Sequence, residues 1–256
     1  MKDFEKGVAA RLAAATGNKV LKAASREFLL ATIETHYSYN FSWQGRPIIQ
    51  YPQDILAMQE LIWKVRPDLI IETGIAHGGS LIFSASMLAQ LDLCDAIETG
   101  EKLDPRASKR KVLGVDIDIR AHNRNAIEAH PMASRIEMIQ GSSITPETIE
   151  KVAAFASKYS RVMVCLDSNH TYNHVLEELE AYAPLTSVGS YCVVFDTIVE
   201  DLPNEIFPER PWGPGNNPKT AVWKYLKTHK EFEIDKSIEA KLQITVAPDG
   251  YLKRLR

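Results

Sequence analysis

Leu69-Ile70-Ile71-Glu72-Thr73-Gly74-Ile75-Ala76-His77-Gly78-Gly79-Ser80 is the stretch that decides the fold. A run of branched apolar residues, the composition of a strand buried on both faces, breaks into glycines that let a turn bring its backbone close to a ligand. A second run, Val162-Met163-Val164-Cys165-Leu166, breaks in a similar way into Asp167-Ser168-Asn169-His170. In an open parallel sheet, ligands bind beyond the carboxyl ends of the strands, so residues just past several strands converge in space. Gly74 and Asp167 are therefore expected in one crevice.

Outward from these two runs, apolar segments of strand length alternate with segments of helical period, the pattern of βα units and a parallel sheet. Strands are expected near Leu69 to Glu72, Val112 to Asp116, Ile136 to Ile139, Val162 to Leu166 and Tyr191 to Phe195. Leu242 to Val246 and Tyr251 to Leu255 flank Ala247-Pro248-Asp249-Gly250, which suits a tight turn and predicts a C-terminal antiparallel hairpin. The expectation is an α/β, Rossmann-like protein with a mostly parallel seven-stranded sheet. Polar Leu93 to Lys111 reads as an inserted loop, and residues 1–55 as an N-terminal helical appendage or lid before a main domain of residues 56–256.

Composition narrows the function. With 256 residues, 45% of them hydrophobic, the chain has ample material for a core. A net charge of −3 and a pI near 6.2 argue against nucleic-acid binding, because Lys109-Arg110-Lys111 is the only dense basic run. Cys94, Cys165 and Cys192 lack zinc-type spacing, and neither a signal peptide nor a membrane-length apolar segment is read; a reducing cytoplasm fits best.

Each strand end carries a residue type that an adenosyl cofactor needs. Glu72, Gly74, Gly78, Gly79 and Ser80 form the turn, Asp116 could accept ribose hydroxyls, and Ser142 and Ser143 could line an adenine pocket. Taken singly, the glycines could equally serve a plain strand-to-helix turn and Asp116 a helix N-cap. Asp167 and Asp196, at neighbouring strand ends, are hard oxygen ligands suited to magnesium, although either alone would read as a cap or a strand end. His170 is placed one helical turn beyond Asp167 and is the candidate general base, imidazole being the side chain that titrates nearest neutrality. His174 reads as a surface or packing histidine.

Four blocks, in order, carry a family resemblance. They are Phe41-Ser42-Trp43-Gln44-Gly45-Arg46-Pro47-Ile48-Ile49-Gln50-Tyr51-Pro52-Gln53-Asp54; Glu72-Thr73-Gly74 with Gly78-Gly79-Ser80; Leu166-Asp167-Ser168-Asn169-His170; and Trp212-Gly213-Pro214-Gly215 through Gly250-Tyr251-Leu252-Lys253-Arg254. The chain resembles the cephalosporin hydroxylase family, whose members have the class I fold of S-adenosylmethionine-dependent methyltransferases, and is similar to rhamnosyl and macrolide-sugar O-methyltransferases. The resemblance implies methyl transfer from S-adenosylmethionine to a small-molecule hydroxyl acceptor such as a glycoside, with magnesium, His170 as base and Asp167 beside it; homo-oligomeric assembly is expected. Related proteins place two acidic or amide residues in tandem after the fifth strand, where this chain has Phe195-Asp196-Thr197. The implied metal ligands are Asp167 and Asp196, with Thr197 or water completing the shell.

Tyr37, Tyr39, Phe41 and Trp43, together with the loop that begins at Trp212, are candidate walls of the acceptor pocket, with simple core packing as the alternative. Of these, Tyr39, Trp43 and Trp212 are the expected substrate contacts. Two other classes of function remain. A non-haem iron hydroxylase could use Asp167, His170 and His174 as a two-histidine, one-carboxylate triad, and a non-catalytic cofactor-binding module could assist a partner enzyme. A nicotinamide dehydrogenase is disfavoured because the turn lacks a Gly-x-Gly start.

Overall fold

The computed structural model describes residues 2–256. Helices α1 (Lys2–Thr16) and α2 (Lys19–Glu34) precede a short hairpin of β1 (Ser42–Trp43) and β2 (Arg46–Pro47). There follow α3 (Pro52–Val65), β3 (Leu69–Thr73), α4 (Gly79–Thr99), β4 (Lys111–Asp116), α5 (Ala121–Glu128), β5 (Ile136–Gln140), α6 (Pro146–Ala156) and β6 (Val162–Leu166). The chain continues through α7 (Tyr172–Tyr182), β7 (Tyr191–Val194), α8 (Pro218–Tyr225), β8 (Phe232–Ile234), α9 (Lys236–Leu242) and β9 (Tyr251–Arg254).

Seven strands form one sheet in the order β5-β4-β3-β6-β7-β9-β8, the first five parallel and β9 antiparallel to both neighbours. The chain leaves β3 for β4 on one side and returns to β6 on the other, so the switch point lies between β3 and β6. Every residue of these two strands is buried, which explains why their sequences are continuously apolar except for Glu72 and Thr73.

The expected strand Leu242 to Val246 does not form. Asp235 caps the start of α9 by accepting from the Ser237 N–H, and the helix uses residues up to Leu242. Downstream, the Val246 N–H donates to Asp54 Oδ2 at 2.9 Å, and Thr245 and Tyr251 donate to the other Asp54 oxygen. Burial pushes Asp54 up to about 6 despite these donors. Its side chain thus satisfies a backbone group that a strand ladder would otherwise take. The last strand pairs instead with Phe232–Ile234.

The expected loop from Leu93 is helical as far as Thr99, and the left-handed Gly100 ends α4. The charges that suggested a loop are paired: Asp92 with Arg110 and Arg135, and Asp95 with Arg66 and Arg110. One exception meets the expected absence of a membrane-length segment. By length and composition α4 could cross a membrane, but half of its apolar window is buried, with Leu81, Ile82, Phe83 and Leu88 in the core.

The N-terminal segment packs into the main core. Leu29, Ile48 and Tyr51 belong to the same core cluster as Ile70 and Leu81. The Arg46 guanidinium donates twice to the His77 carbonyl, at 3.0 and 2.6 Å, and once to Asn123 Oδ1 at 2.9 Å, while the Asn123 amide donates to the Ala76 carbonyl at 2.9 Å. The β1–β2 hairpin is thereby fastened to the turn after β3.

Candidate active site

The Gly74 N–H donates to the Val115 carbonyl at 2.8 Å, and the Asp167 N–H to the Thr73 carbonyl at 2.9 Å, which draws the ends of β3, β4 and β6 together. Gly74 and Asp167 share the crevice as expected. The glycines also have a reason within the fold itself. Gly74 and Gly78 have left-handed backbones, with φ of +90° and +81°. A Cβ at Gly74 would overlap the Asp167 carbonyl, at Gly78 the Ile127 side chain, and at Gly79 the Pro47 carbonyl. Close packing of the protein on itself therefore suffices to require them, before any cofactor is considered.

Asp116 stands at the end of β4, and its carboxylate accepts from the Ile75 N–H at 2.8 Å, Ala76 N–H at 3.3 Å and Asp118 N–H at 3.0 Å. It is not an N-cap, because the N-cap of α5 is Arg120, four residues later. It braces the glycine turn through Oδ2, and Oδ1 retains one further acceptor position. Ile117 beside it is 71% exposed. Of the two serines expected near an adenine ring, Ser143 is buried with its hydroxyl 3.0 Å from His174 Nε2, and Ser142 is partly exposed.

Glu72 is buried beneath the turn, with the Ser80 hydroxyl as its hydrogen-bond donor. Burial pushes it from the ordinary 4.5 up to about 7, and Ser80 opposes the shift only in part. Because the folded protein holds this proton more tightly than the unfolded chain, the native state is relatively most stable below pH 4.5 and loses stability as pH rises toward 7. Glu72→Gln should remove this dependence. At pH 8 the variant should unfold with about 3 kcal/mol more resistance than wild type, and at pH 4 the two should coincide, as read by urea melts at both pH values.

Asp167, His170 and Asp196 place one ligand atom each within 4.8 Å of one another. His170 Nε2 lies 3.3 Å from Asp196 Oδ2. Burial, then the charges of Asp196, Glu72 and Glu178, push the Asp167 carboxyl well above the usual range, and the Gln50 amide N–H at 3.1 Å opposes them. Such a cluster fits a divalent cation, which would compensate the charge that burial disfavours.

His170 does not reach this place on a helix, as expected from its spacing. Residues 167–170 are a loop, and α7 begins at Tyr172 with Thr171 as its N-cap. The Asn169 side chain accepts from the Thr171 N–H and hydroxyl at 2.9 and 2.8 Å, and the Ser168 hydroxyl donates to buried Glu178 at 2.6 Å, so the loop is held by its own side chains. On the other strand, Asp196 has φ +54°. This left-handed residue turns its side chain back toward the end of β6.

Thr197 is a correction. Its side chain is fully buried and donates to the Pro248 carbonyl at 2.6 Å, away from the cluster. His174 is also elsewhere, its Nε2 3.0 Å from Ser143 Oγ, 3.2 Å from Ser168 Oγ and 3.6 Å from Glu178 Oε1. The Asp167, His170 and His174 triad of the hydroxylase reading is not assembled.

Beside the cluster lies a cavity of about 480 Å³ whose lining includes Tyr39, Gln50, His170, Asp196, Arg210 and Trp212. Trp212 meets the His170 ring edge-on at 5.2 Å between centroids. Asn216, in the same loop, accepts from the Tyr172 N–H at 2.9 Å and so fixes the loop against α7. Trp43 is not a wall of this cavity. Its indole N–H donates to Ser86 Oγ at 3.0 Å and its ring packs edge-on against Phe83. Tyr37 packs among Phe28, Phe41 and Tyr51. Gln50 and Arg210 were not anticipated, since isolated residues of these types carry no sequence signal.

The comparisons with known proteins agree with this architecture. The family model for rhamnosyl O-methyltransferase/CmcI matches residues 35–255. The rhamnosyl O-methyltransferase of Mycobacterium bovis (strain BCG / Pasteur 1173P2) is 30% identical over 206 residues, which cover 78% of this chain and 73% of that protein. That of Mycobacterium leprae (strain TN) is 28% identical over 215 residues, covering 83% and 82%. Among solved structures, CmcI with Mg and SAM superposes with a TM-score of 0.55 at 18% identity, covering 85% of this chain and 78% of that one. CmcI with SAH gives 0.52 at 19% identity, covering 84% and 83%. At these identities the two structures establish the shared fold. With the sequence match spanning nearly all of the sheet and the site, the chain belongs to the rhamnosyl O-methyltransferase/CmcI family and is an S-adenosylmethionine-dependent methyltransferase of the class I fold.

Proposed function

We propose that the protein methylates a hydroxyl group of a sugar-bearing acceptor, with a magnesium-type cation at Asp167 and Asp196. The observation that carries this reading is the placement of Asp167, His170 and Asp196 at one end of an aromatic-walled cavity, beside the glycine turn. S-adenosylmethionine supplies an electrophilic methyl group, and a divalent cation makes an acceptor hydroxyl more acidic and fixes its direction.

The chain's own residues then have distinct tasks. The turn from Gly74 to Gly79 and Asp116 hold the cofactor, and Asp167 and Asp196 hold the cation. His170 faces the cavity with Nε2 against Asp196, so the carboxylate stabilises the imidazolium formed when His170 takes the acceptor proton. Tyr39 and Trp212 offer apolar faces suited to a sugar ring, and the acceptor named for the mycobacterial relatives, a rhamnosyl group, is of this class.

The test is incubation with labelled S-adenosylmethionine, magnesium and a panel of rhamnosides and other glycosides. Label should move to a glycoside. Chelation and Asp167→Ala should each suppress turnover at least 10²-fold while calorimetry shows cofactor affinity nearly unchanged. Full turnover in chelator would remove the cation from the mechanism, and transfer confined to acceptors without a sugar would overturn the acceptor class.

A further inference from the structure

Gln50 lies between β2 and α3, is only 9% exposed and lines the acceptor cavity. Its amide N–H donates to Asp167 Oδ2 at 3.1 Å, while its amide oxygen is buried without any hydrogen-bond partner. Buried polar atoms are almost always paired, so with its oxygen unpartnered the orientation of this amide is set by one hydrogen bond alone. Turning the terminal amide over exchanges its nitrogen and oxygen, and the oxygen then takes the position facing Asp167. Adjacent oxygens around octahedral magnesium, at 2.0–2.1 Å from the ion, stand about 3.0 Å apart. The observed separation of 3.1 Å between the Gln50 amide and Asp167 matches that edge. Phe195, next to Asp196 in the chain, is a buried ring that offers no ligand.

We propose that Gln50 is the third protein ligand of the cation, through its amide oxygen, an inference that rests on the cation reading above. Two carboxylates and a neutral amide balance a dication with an all-oxygen protein set, the kind magnesium prefers, and leave the imidazole of His170 for proton transfer. The set spans three parts of the chain: the segment before α3, the end of β6 and the end of β7.

The experiment measures Mn²⁺ binding by electron paramagnetic resonance and Mg²⁺ binding by calorimetry, on the full chain without cofactor or acceptor. Wild type should bind one ion and Asp167→Ala should not. Gln50→Leu should bind Mn²⁺ about 10- to 100-fold more weakly. Gln50→Glu, which puts a charged oxygen in the same position, should bind about tenfold more tightly and gain more in melting temperature from added Mn²⁺ than wild type does. A residue that only steadied Asp167 by donating a hydrogen bond would behave in the opposite way, because glutamate cannot donate and repels the neighbouring carboxylate. Weaker or merely equal binding by Gln50→Glu overturns the proposal, and that outcome can be read even if the leucine variant fails to fold. Absence of ion binding by a wild type that still binds S-adenosylmethionine would remove the cation reading itself, and Gln50's role with it.

Discussion

Replacing His170 by alanine should slow methyl transfer by about 10²- to 10⁴-fold, the usual cost of removing a general base. The imidazole sits with Nε2 3.3 Å from Asp196 Oδ2 and its ring against Trp212 at the cavity wall. It is held in orientation from two sides, and it faces the space that an acceptor hydroxyl would enter. Calorimetry with S-adenosylmethionine should show affinity within a factor of two of wild type, because the glycine turn is on another strand. A variant that turned over an acceptor at the wild-type rate with an unchanged pH profile would move proton removal to Asp167, Asp196 or solvent.

Gly74→Ala should destabilise the protein by on the order of 4 kcal/mol, lowering the melting temperature by roughly 10 °C, whether or not cofactor is present. Two costs add. An alanine at φ +90° is strained, by about 1–3 kcal/mol, and its Cβ would overlap the Asp167 carbonyl and sit 3.1 Å from Ser168 Cα. The obstacle is main chain in the adjacent strand end, which cannot swing aside as a side chain would. Gly215 is the internal control: its φ is +84°, but a Cβ there meets nothing within 4 Å. Gly215→Ala should therefore lose only the conformational part, about 1–2 kcal/mol. If Gly74→Ala melted with wild type and only cofactor binding suffered, the glycine would be there for the ligand and the packing account would be wrong.

The comparison between residue patterns and structure follows physical lines. The central parallel strands were legible because strands buried on both faces are nearly continuously apolar, as Val162–Leu166 is throughout and Leu69–Thr73 is except for Glu72 and Thr73. Convergence of Gly74 with Asp167 followed from the switch-point geometry of parallel sheets. What was misread lies where one residue type serves two ends. The run from Leu242 to Val246 has strand composition, but Asp54, distant in sequence, satisfies the Val246 N–H. Trp43 belongs to a matching sequence block and Thr197 follows the fifth strand, yet the indole donates to Ser86 and the hydroxyl to Pro248. Asp167 to His170 has the spacing of one helical turn, but Asn169 folds its side chain onto Thr171 and makes a loop of it. Gln50 was invisible because its meaning lies in an unpaired atom, and pairing is a property of three dimensions only.

The fastening of Arg46 to the His77 carbonyl, and of Pro47 against Gly79, has a consequence for how this enzyme could be rebuilt. The segment that contributes Tyr39 and Gln50 to the acceptor cavity also supports the cofactor turn from outside the sheet. Acceptor preference and cofactor grip are therefore not independent modules. Under the proposed function, a chimera that took residues 35–55 from a relative in order to change its acceptor would import a new brace for the glycine turn as well. Its success would turn on whether the donor sequence kept an arginine and a compact backbone opposite Gly79, more than on the aromatic residues chosen for the sugar.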